Sequence, residues 1–292
     1  TLMRSSAASD VYKRQGIRNR RNIKDSKLSD SEIITISIVG ELLTIDSEKS
    51  FFSLLKREYK ELFPRLGDRT RFNRTKRNLH LVISKIRGYI SEFMQLYSNN
   101  IRVIDSMPIP VCEFGRAHFS KCFKGEASYG ICASKKETYF GFKFHALTTV
   151  DGFLTDYVIT PANIDDRNAV WDLCDKYRSI SIIGDKGYIN KRLTPELKSE
   201  RDIDLLFLKR ANSRDNYPKE VRQLLFKVRR RIETSFSQLT EQLNLNKVKS
   251  KSMLGFITRT SIKVLAHNIS FLINKLMKND DSMAKIKRLV FG

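Results

Sequence analysis

Asp105, Asp185 and Glu233 stand where carboxylates can do more than solvate a surface. Asp105 closes the short apolar run Arg102-Val103-Ile104, and the following Ser106-Met107-Pro108-Ile109-Pro110 stops it, because proline cannot continue a central ladder. Asp185 directly follows a second apolar run, Ile180 to Ile183, and Gly184. Glu233 borders a stripe in which Leu225, Val228, Ile232, Phe236, Leu239 and Leu243 recur at the three-four spacing of a buried helix face. Two strand ends and one helix can bring three carboxylates into one cleft. Oxygen donors of that kind suit Mg²⁺, with Mn²⁺ as the alternative. Two such ions about 4 Å apart prepare an attacking oxygen and stabilise a leaving one at a phosphodiester.

Each acid taken singly has a plainer reading. Asp105 or Asp185 can be a cap or turn residue, and Glu233 an ion-pair partner of Arg229 or Arg230 one turn back. Only their joint placement favours a shared metal cleft.

The elements that would position them follow from the pattern. Residues 16–100 read as a helical, DNA-binding domain: Ser29 with Glu32 is a capping-box signature, a second helix is predicted over Phe51 to Phe63, and a long third one from Gly67-Asp68 toward Tyr97. From residue 101 the period changes. Arg102 to Asp105, Tyr139 to His145, Thr155 to Ile159, Ile180 to Ile183 and Leu205 to Leu208 read as strands, with Gly152 turning the second into the third. Val111 to Lys136 reads as inserted loops. Helices are predicted from Arg167 to Tyr177 with Asp165 or Asp166 as cap, over Leu193 to Lys198, and beyond Pro218 through Glu233 to the segment Phe256 to Lys278. This order predicts an α/β chain: an RNase H-like catalytic domain over 101–278 with a mixed five-stranded sheet and C-terminal helices, an N-terminal helical domain, and a basic tail over 279–292. Thr1 to Gln15 is set apart, because Asp10-Val11-Tyr12-Lys13-Arg14-Gln15 resembles the conceptual translation of a sequencing-library adapter; the native N-terminus is expected to be replaced there.

The 292 residues carry 54 Lys and Arg against 32 Asp and Glu, a formal net charge of +22. Such an excess repels itself in a compact fold and points to a polyanionic partner. Arg69, Arg71, Arg74, Lys76 and Arg77 open the third predicted helix in the manner of a helix-turn-helix module, where cations meet phosphate, the alternative being a solvated charged face. Arg229 and Arg230 flank the glutamate, Lys186 follows the second aspartate, and Lys143 shares a strand face with His145, which is either an auxiliary group at the site or a structural histidine. Cys112, Cys122 and Cys132 surround His118 at no zinc-knuckle spacing and, with Cys174, read as ordinary thiols in a reducing compartment. With no apolar run long enough to span a membrane, a cytoplasmic, nucleoid-associated location is expected.

From about Val103 to Asn268 the chain resembles the DDE transposases of bacterial insertion sequences. The matching motifs are Ile104-Asp105-Ser106-Met107-Pro108-Ile109-Pro110, Tyr139-Phe140-Gly141-Phe142-Lys143-Phe144-His145, Pro161-Ala162-Asn163-Ile164-Asp165-Asp166-Arg167, Ile183-Gly184-Asp185-Lys186-Gly187-Tyr188 and Arg230-Arg231-Ile232-Glu233-Thr234-Ser235-Phe236-Ser237. The resemblance implies Mg²⁺-dependent cleavage at terminal inverted repeats of double-stranded DNA and joining of the 3′-hydroxyl to target DNA, with a homodimer holding two ends. Relatives share a Tyr, Arg, Glu, Lys signature around the glutamate. Here Phe226 replaces the Tyr, Arg229 is retained, and Thr240 replaces the Lys, which Lys247, Lys249 or Lys251 would have to serve instead. The rival readings are a nuclease without strand transfer and a non-catalytic basic DNA-binding protein.

Overall fold

The computed structural model describes residues 26–95, 99–132, 136–188, 190, 192–207, 217–277 and 285–286. The adapter-like segment 1–15 lies outside them, as does nearly all of the tail 279–292. The described residues form two compact units, one of residues up to Ile90 together with those from Leu239 on, the other Ser91–Gln238.

The first unit is helical. It contains α1 (Asp30–Leu42), α2 (Glu48–Glu58), α3 (Arg69–Asn78), most of α4 (His80–Phe93) and α8 (Met253–Leu276). The capping box at Ser29 and Glu32 is present, with Ser47, Asp68 and Ser252 capping α2, α3 and α8. Two expectations are corrected here. The predicted long third helix is two, broken at Leu79, whose ψ of 4° leaves the helical range while its side chain is fully buried. The C-terminal helix α8, assigned from sequence to the 101–278 domain, packs on α1 and α3. Phe256, Ile262, Val264, Leu265 and Phe271 are all buried, and so are Lys263, His267 and Asn268. A helix covered on most of its faces announces burial in its sequence but not the surface that covers it.

The second unit is a mixed sheet with flanking helices. Its strands are β1 (Ile101–Pro110), β2 (Ser128–Cys132), β3 (Glu137–Thr148), β4 (Leu154–Pro161), β5 (Ser181–Gly184) and β6 (Asp204–Phe207). β3 pairs antiparallel with β1, β2 and β4, whereas β1 and β6 flank β5 in parallel, in the order β2-β3-β1-β5-β6. The sheet thus has six strands, not the five expected, and β1 does not stop at Asp105 as the prolines suggested: it runs on through Pro108 and Pro110 beside β3, where its pairing with β5 has already ended at Val103 and one edge needs no ladder bond. The addition, β2, lies in the stretch read as loops; it is short, carries Gly130 at its centre, and shows its hydrophobic residues Tyr129 and Ile131 to solvent. Gly152, at φ 96°, makes the turn between β3 and β4. At Gly141 a Cβ would stand 2.2 Å from the Ile109 carbonyl oxygen, so β3 needs glycine where β1 crosses beside it.

The helices are α5 (Asp166–Leu173), α6 (Leu193–Arg201) and α7 (Lys219–Ser237). Side chains alternate across a strand, so the two faces of the sheet can be assigned. Ile104, Leu147, Ile182 and Leu205 point to one face and pack with Val170 and Leu173 of α5 and Leu193 and Leu197 of α6. On the opposite face Phe144 meets Phe236 of α7, ring centroids 6.3 Å apart, and α7 packs on β1 and β5. Leu225, Val228, Ile232 and Phe236 form its buried side, as the three-four spacing predicts.

Candidate active site

The register between β1 and β5 places the first two acids. Val103 pairs with Ile183, and Asp105 and Asp185 each follow that pair by two residues. A step of two along each of two parallel strands running in one direction sets both acids at the same end of the β1–β5 pair, near enough for the charge of Asp185 to act on Asp105. Asp105 also faces Ala146 across the antiparallel pair, next to the Met107–Phe144 pair that α7 covers.

α7 supplies the third acid and a cation. Arg229, one turn before Glu233, sends Nη1 to within 3.2 Å of Asp185 Oδ1 and Nη2 to within 3.8 Å of Glu233 Oε1. Its side chain is one-quarter exposed, whereas that of Glu233 is 56% exposed. The ion pair read as the plainer role of Glu233 therefore forms, and it includes Asp185. Asp105, only partly buried by exposure, is nevertheless the most desolvated of the three. Desolvation pushes its carboxyl up to about 6, reinforced by the charges of Asp185 and Asp166 and opposed by the Ser106 backbone N–H and by Arg229. Ser106 N–H donates to Asp105 Oδ1 at 2.8 Å.

A second layer lies on the α5 face. Ser106, next to Asp105, points the other way, and its hydroxyl donates to Asp166 Oδ2 at 2.9 Å. Lys143 Nζ donates to Asp166 Oδ1 and to the Ile164 carbonyl, each at 2.7 Å. His145 is fully buried, its Nε2 2.9 Å from Thr160 Oγ1 and its Nδ1 4.0 Å from Asp166. Burial lowers its pKa to about 4, so the ring is neutral near pH 7. Asp166 was considered from sequence only as a helix cap. Asp165 takes that role, its carboxylate accepting from Arg167 N–H, which leaves Asp166 to organise Ser106, Lys143 and His145. The adjacent aspartates at a helix start were the available signal: one cap needs only one of them.

The structure thus divides the expected site residues. Arg229 links Asp185 and Glu233, Asp105 lies within the field of Arg229 and Asp185, and Arg230 is exposed on α7. Lys143 is corrected from a phosphate contact to an internal one: it is only 17% exposed and spent on Asp166. His145 has no exposed surface through which to meet a substrate. The side chain of Lys186 lies outside the described residues. In the helical unit Arg69, Arg71 and Arg74 are exposed and Arg77 is partly buried, while Lys76 turns to Glu48 at 3.5 Å and lies over the Phe72 ring. Lys249 stands 3.8 Å from Asp46, and Phe226 is half exposed. The four cysteines are free.

In donor chemistry the acids fit a hard divalent cation: three carboxylates, one of them held above its usual pKa chiefly by desolvation. In arrangement they stop short of it. Among the described residues no three of His, Cys, Asp or Glu are grouped to hold a metal ion. Arg229 lies between Asp185 and Glu233, its guanidinium supplying the positive charge there.

No curated protein and no solved structure matches the chain. The family described as Transposase DDE domain matches residues 96–253, just over half of the 292. All three acids lie within that span, two at the same end of the β1–β5 pair and one on the helix packed against it, and the chain belongs to the DDE transposase family.

Proposed function

We propose that this chain cleaves DNA at the ends of an insertion sequence and joins the freed 3′-hydroxyl to target DNA, using Asp105, Asp185 and Glu233 as the carboxylates of an RNase H-like site for Mg²⁺ or Mn²⁺. The observation that carries the reading is the β1–β5 register, in which Asp105 and Asp185 each follow the Val103–Ile183 pair by two residues, with Arg229 tying the helix of Glu233 to Asp185. A divalent ion bound by these oxygens supplies Lewis-acid charge to a phosphodiester and lowers the pKa of water.

The chain's own groups do the rest. Ser106 fixes the Asp105 carboxylate by its backbone N–H, and Asp166 holds Ser106 from behind. Arg229 keeps the acids neutralised until phosphate offers it a better partner, since a guanidinium binds phosphate oxygens in a two-pronged fork. Arg229 is the retained Arg of the terminal-phosphate signature, which agrees with such an exchange. Arg230 on α7 and Arg69, Arg71 and Arg74 on α3 contact DNA phosphates. The partners are duplex inverted repeats and target DNA in the nucleoid, handled by a homodimer because two ends must be held.

The test is a cleavage and joining assay on a short inverted-repeat duplex, with Mg²⁺ or with a chelator. The wild type is expected to nick and to join, and Asp185→Asn to do neither. Full strand transfer by Asp185→Asn rejects the triad; nicking without joining by the wild type favours the nuclease reading.

A further inference from the structure

We propose that the segment from the end of β1 through β2 is a binding site for unpaired nucleotides of DNA, with exposed rings stacking on bases and neighbouring cations meeting phosphates. The segment leaves β1 at Pro110, forms a 3₁₀ turn over Phe114–Phe119, and returns through edge strand β2.

Its apolar surface is built in two directions. Ala117 and Phe123 are buried, the Phe123 ring meeting Phe142 edge-on at 5.5 Å, so the segment is anchored to the sheet. Phe119 is 82% exposed and Phe114 54%. Phe114 meets Tyr129 edge-on at 6.0 Å, and Tyr129 leans on Phe140 at 5.0 Å while remaining half exposed. Leaving a Phe ring in water forgoes about 1.5–3 kcal/mol of burial, which a ring this exposed on an anchored turn can recover by stacking on a ligand.

The cations are interleaved with the rings. In a 3₁₀ helix residues three apart eclipse, which sets Arg116 and Phe119 on one side of the turn. Arg116, Lys121, Lys124 and Lys136 are all exposed, against Glu113 and Glu126, and these four cations enter no ion pair among the described residues. A protein partner favours a contiguous apolar patch with charge at its rim. Rings alternating with unpaired cations suit a single strand, whose every base has a stacking face and every linkage a negative charge.

The position suits DNA that also reaches the acids. β1 carries the chain five residues from Asp105 to Pro110, about 17 Å at the rise of a strand. That is a span of about five nucleotides at the rise of B-DNA. The proposal rests on DNA being the substrate and not on the roles of the three acids.

The test uses the full chain in a chelating buffer, so that cleavage plays no part. Binding is measured to a blunt duplex and to the same duplex with a short unpaired extension carrying 2-aminopurine. The wild type is expected to prefer the extended duplex and to quench the probe. Phe119→Ala should lose about 5- to 150-fold of the affinity for the extension, with blunt-duplex binding unchanged. Phe119→Trp should restore the preference and show quenched indole emission on binding. Lys121→Gln, which disturbs no ring, should lower the salt dependence by about one released ion. Equal binding of both duplexes by the wild type, or an unchanged preference in Phe119→Ala, overturns the proposal. So does loss of DNA-free self-association in Phe119→Ala, which would make the patch a contact between copies.

Discussion

Each unit contains a cluster of charges, and the two are balanced differently. In the helical unit Glu41 of α1 receives two cations from α8, Arg259 at 3.0 Å and Lys263, and Lys263 also donates to the Leu243 carbonyl. Arg259 bonds the Asp46 carbonyl as well, and Lys249 stands near the Asp46 carboxylate. Burial lowers the Lys263 pKa, and the charge of Glu41 opposes that. In the sheet unit the ratio is inverted: the one guanidinium of Arg229 touches two acids and acts on a third through its field. The first cluster has its partners within the fold and serves packing. The second has carboxylate charge that a cation or a phosphate-bound ion would complete, which is how a site differs from a structural ion cluster.

The sharpest break between them is expected from removing one charge in each. Asp185→Asn should lower strand cleavage by at least about 10³-fold while leaving thermal stability unchanged or higher, read by gel assay and calorimetry. Lys263→Met should do the reverse. It strands part of the Glu41 charge in the helical unit and should cost about 3 kcal/mol in denaturant unfolding, with cleavage by the remaining folded protein preserved. If Lys263→Met abolished catalysis in folded protein, the contrast would fail.

Asp105 sharpens the comparison through pH. Its carboxyl is raised to about 6, so the native state holds a proton that the unfolded chain releases near 4. The contribution to stability is full below the unfolded value and is lost as pH rises through 6. Asp105→Asn should therefore stabilise the chain by about 1–3 kcal/mol above pH 6, and by almost nothing below pH 4, while abolishing activity. Unfolding measured across that range checks the sign. The smallest effect is expected at Arg229. Arg229→Gln should raise Mn²⁺ affinity in the absence of DNA by about 5- to 30-fold, by titration calorimetry, because a competing cation has left the acids. Affinity in both proteins should weaken as pH falls below about 6, where a proton competes at Asp105.

The elements that carry the three acids were largely legible in the chain. The apolar runs ending in Asp105 and Asp185, and the stripe beside Glu233, are local patterns, and local patterns survive into the fold. β2 was not legible, because five residues centred on glycine and exposing their hydrophobic side chains carry no alternation that marks a core. Lys143 and Asp166 are 23 residues apart and meet only because β3 lies beside the start of α5. Sequence period could say that Lys143 and His145 share a face, but not that an aspartate waits there.

The sequence by itself determined which acids follow apolar runs and which helix face is buried, since both follow from hydrophobic period, but not that β1 continues five residues past Asp105. Tertiary structure decided the rest: that α8 belongs with α1, that Lys143 is spent internally, and that Arg229 sits between Asp185 and Glu233. Those outcomes depend on which distant charges share a low-dielectric space, and strand register and helix packing set that, not spacing along the chain.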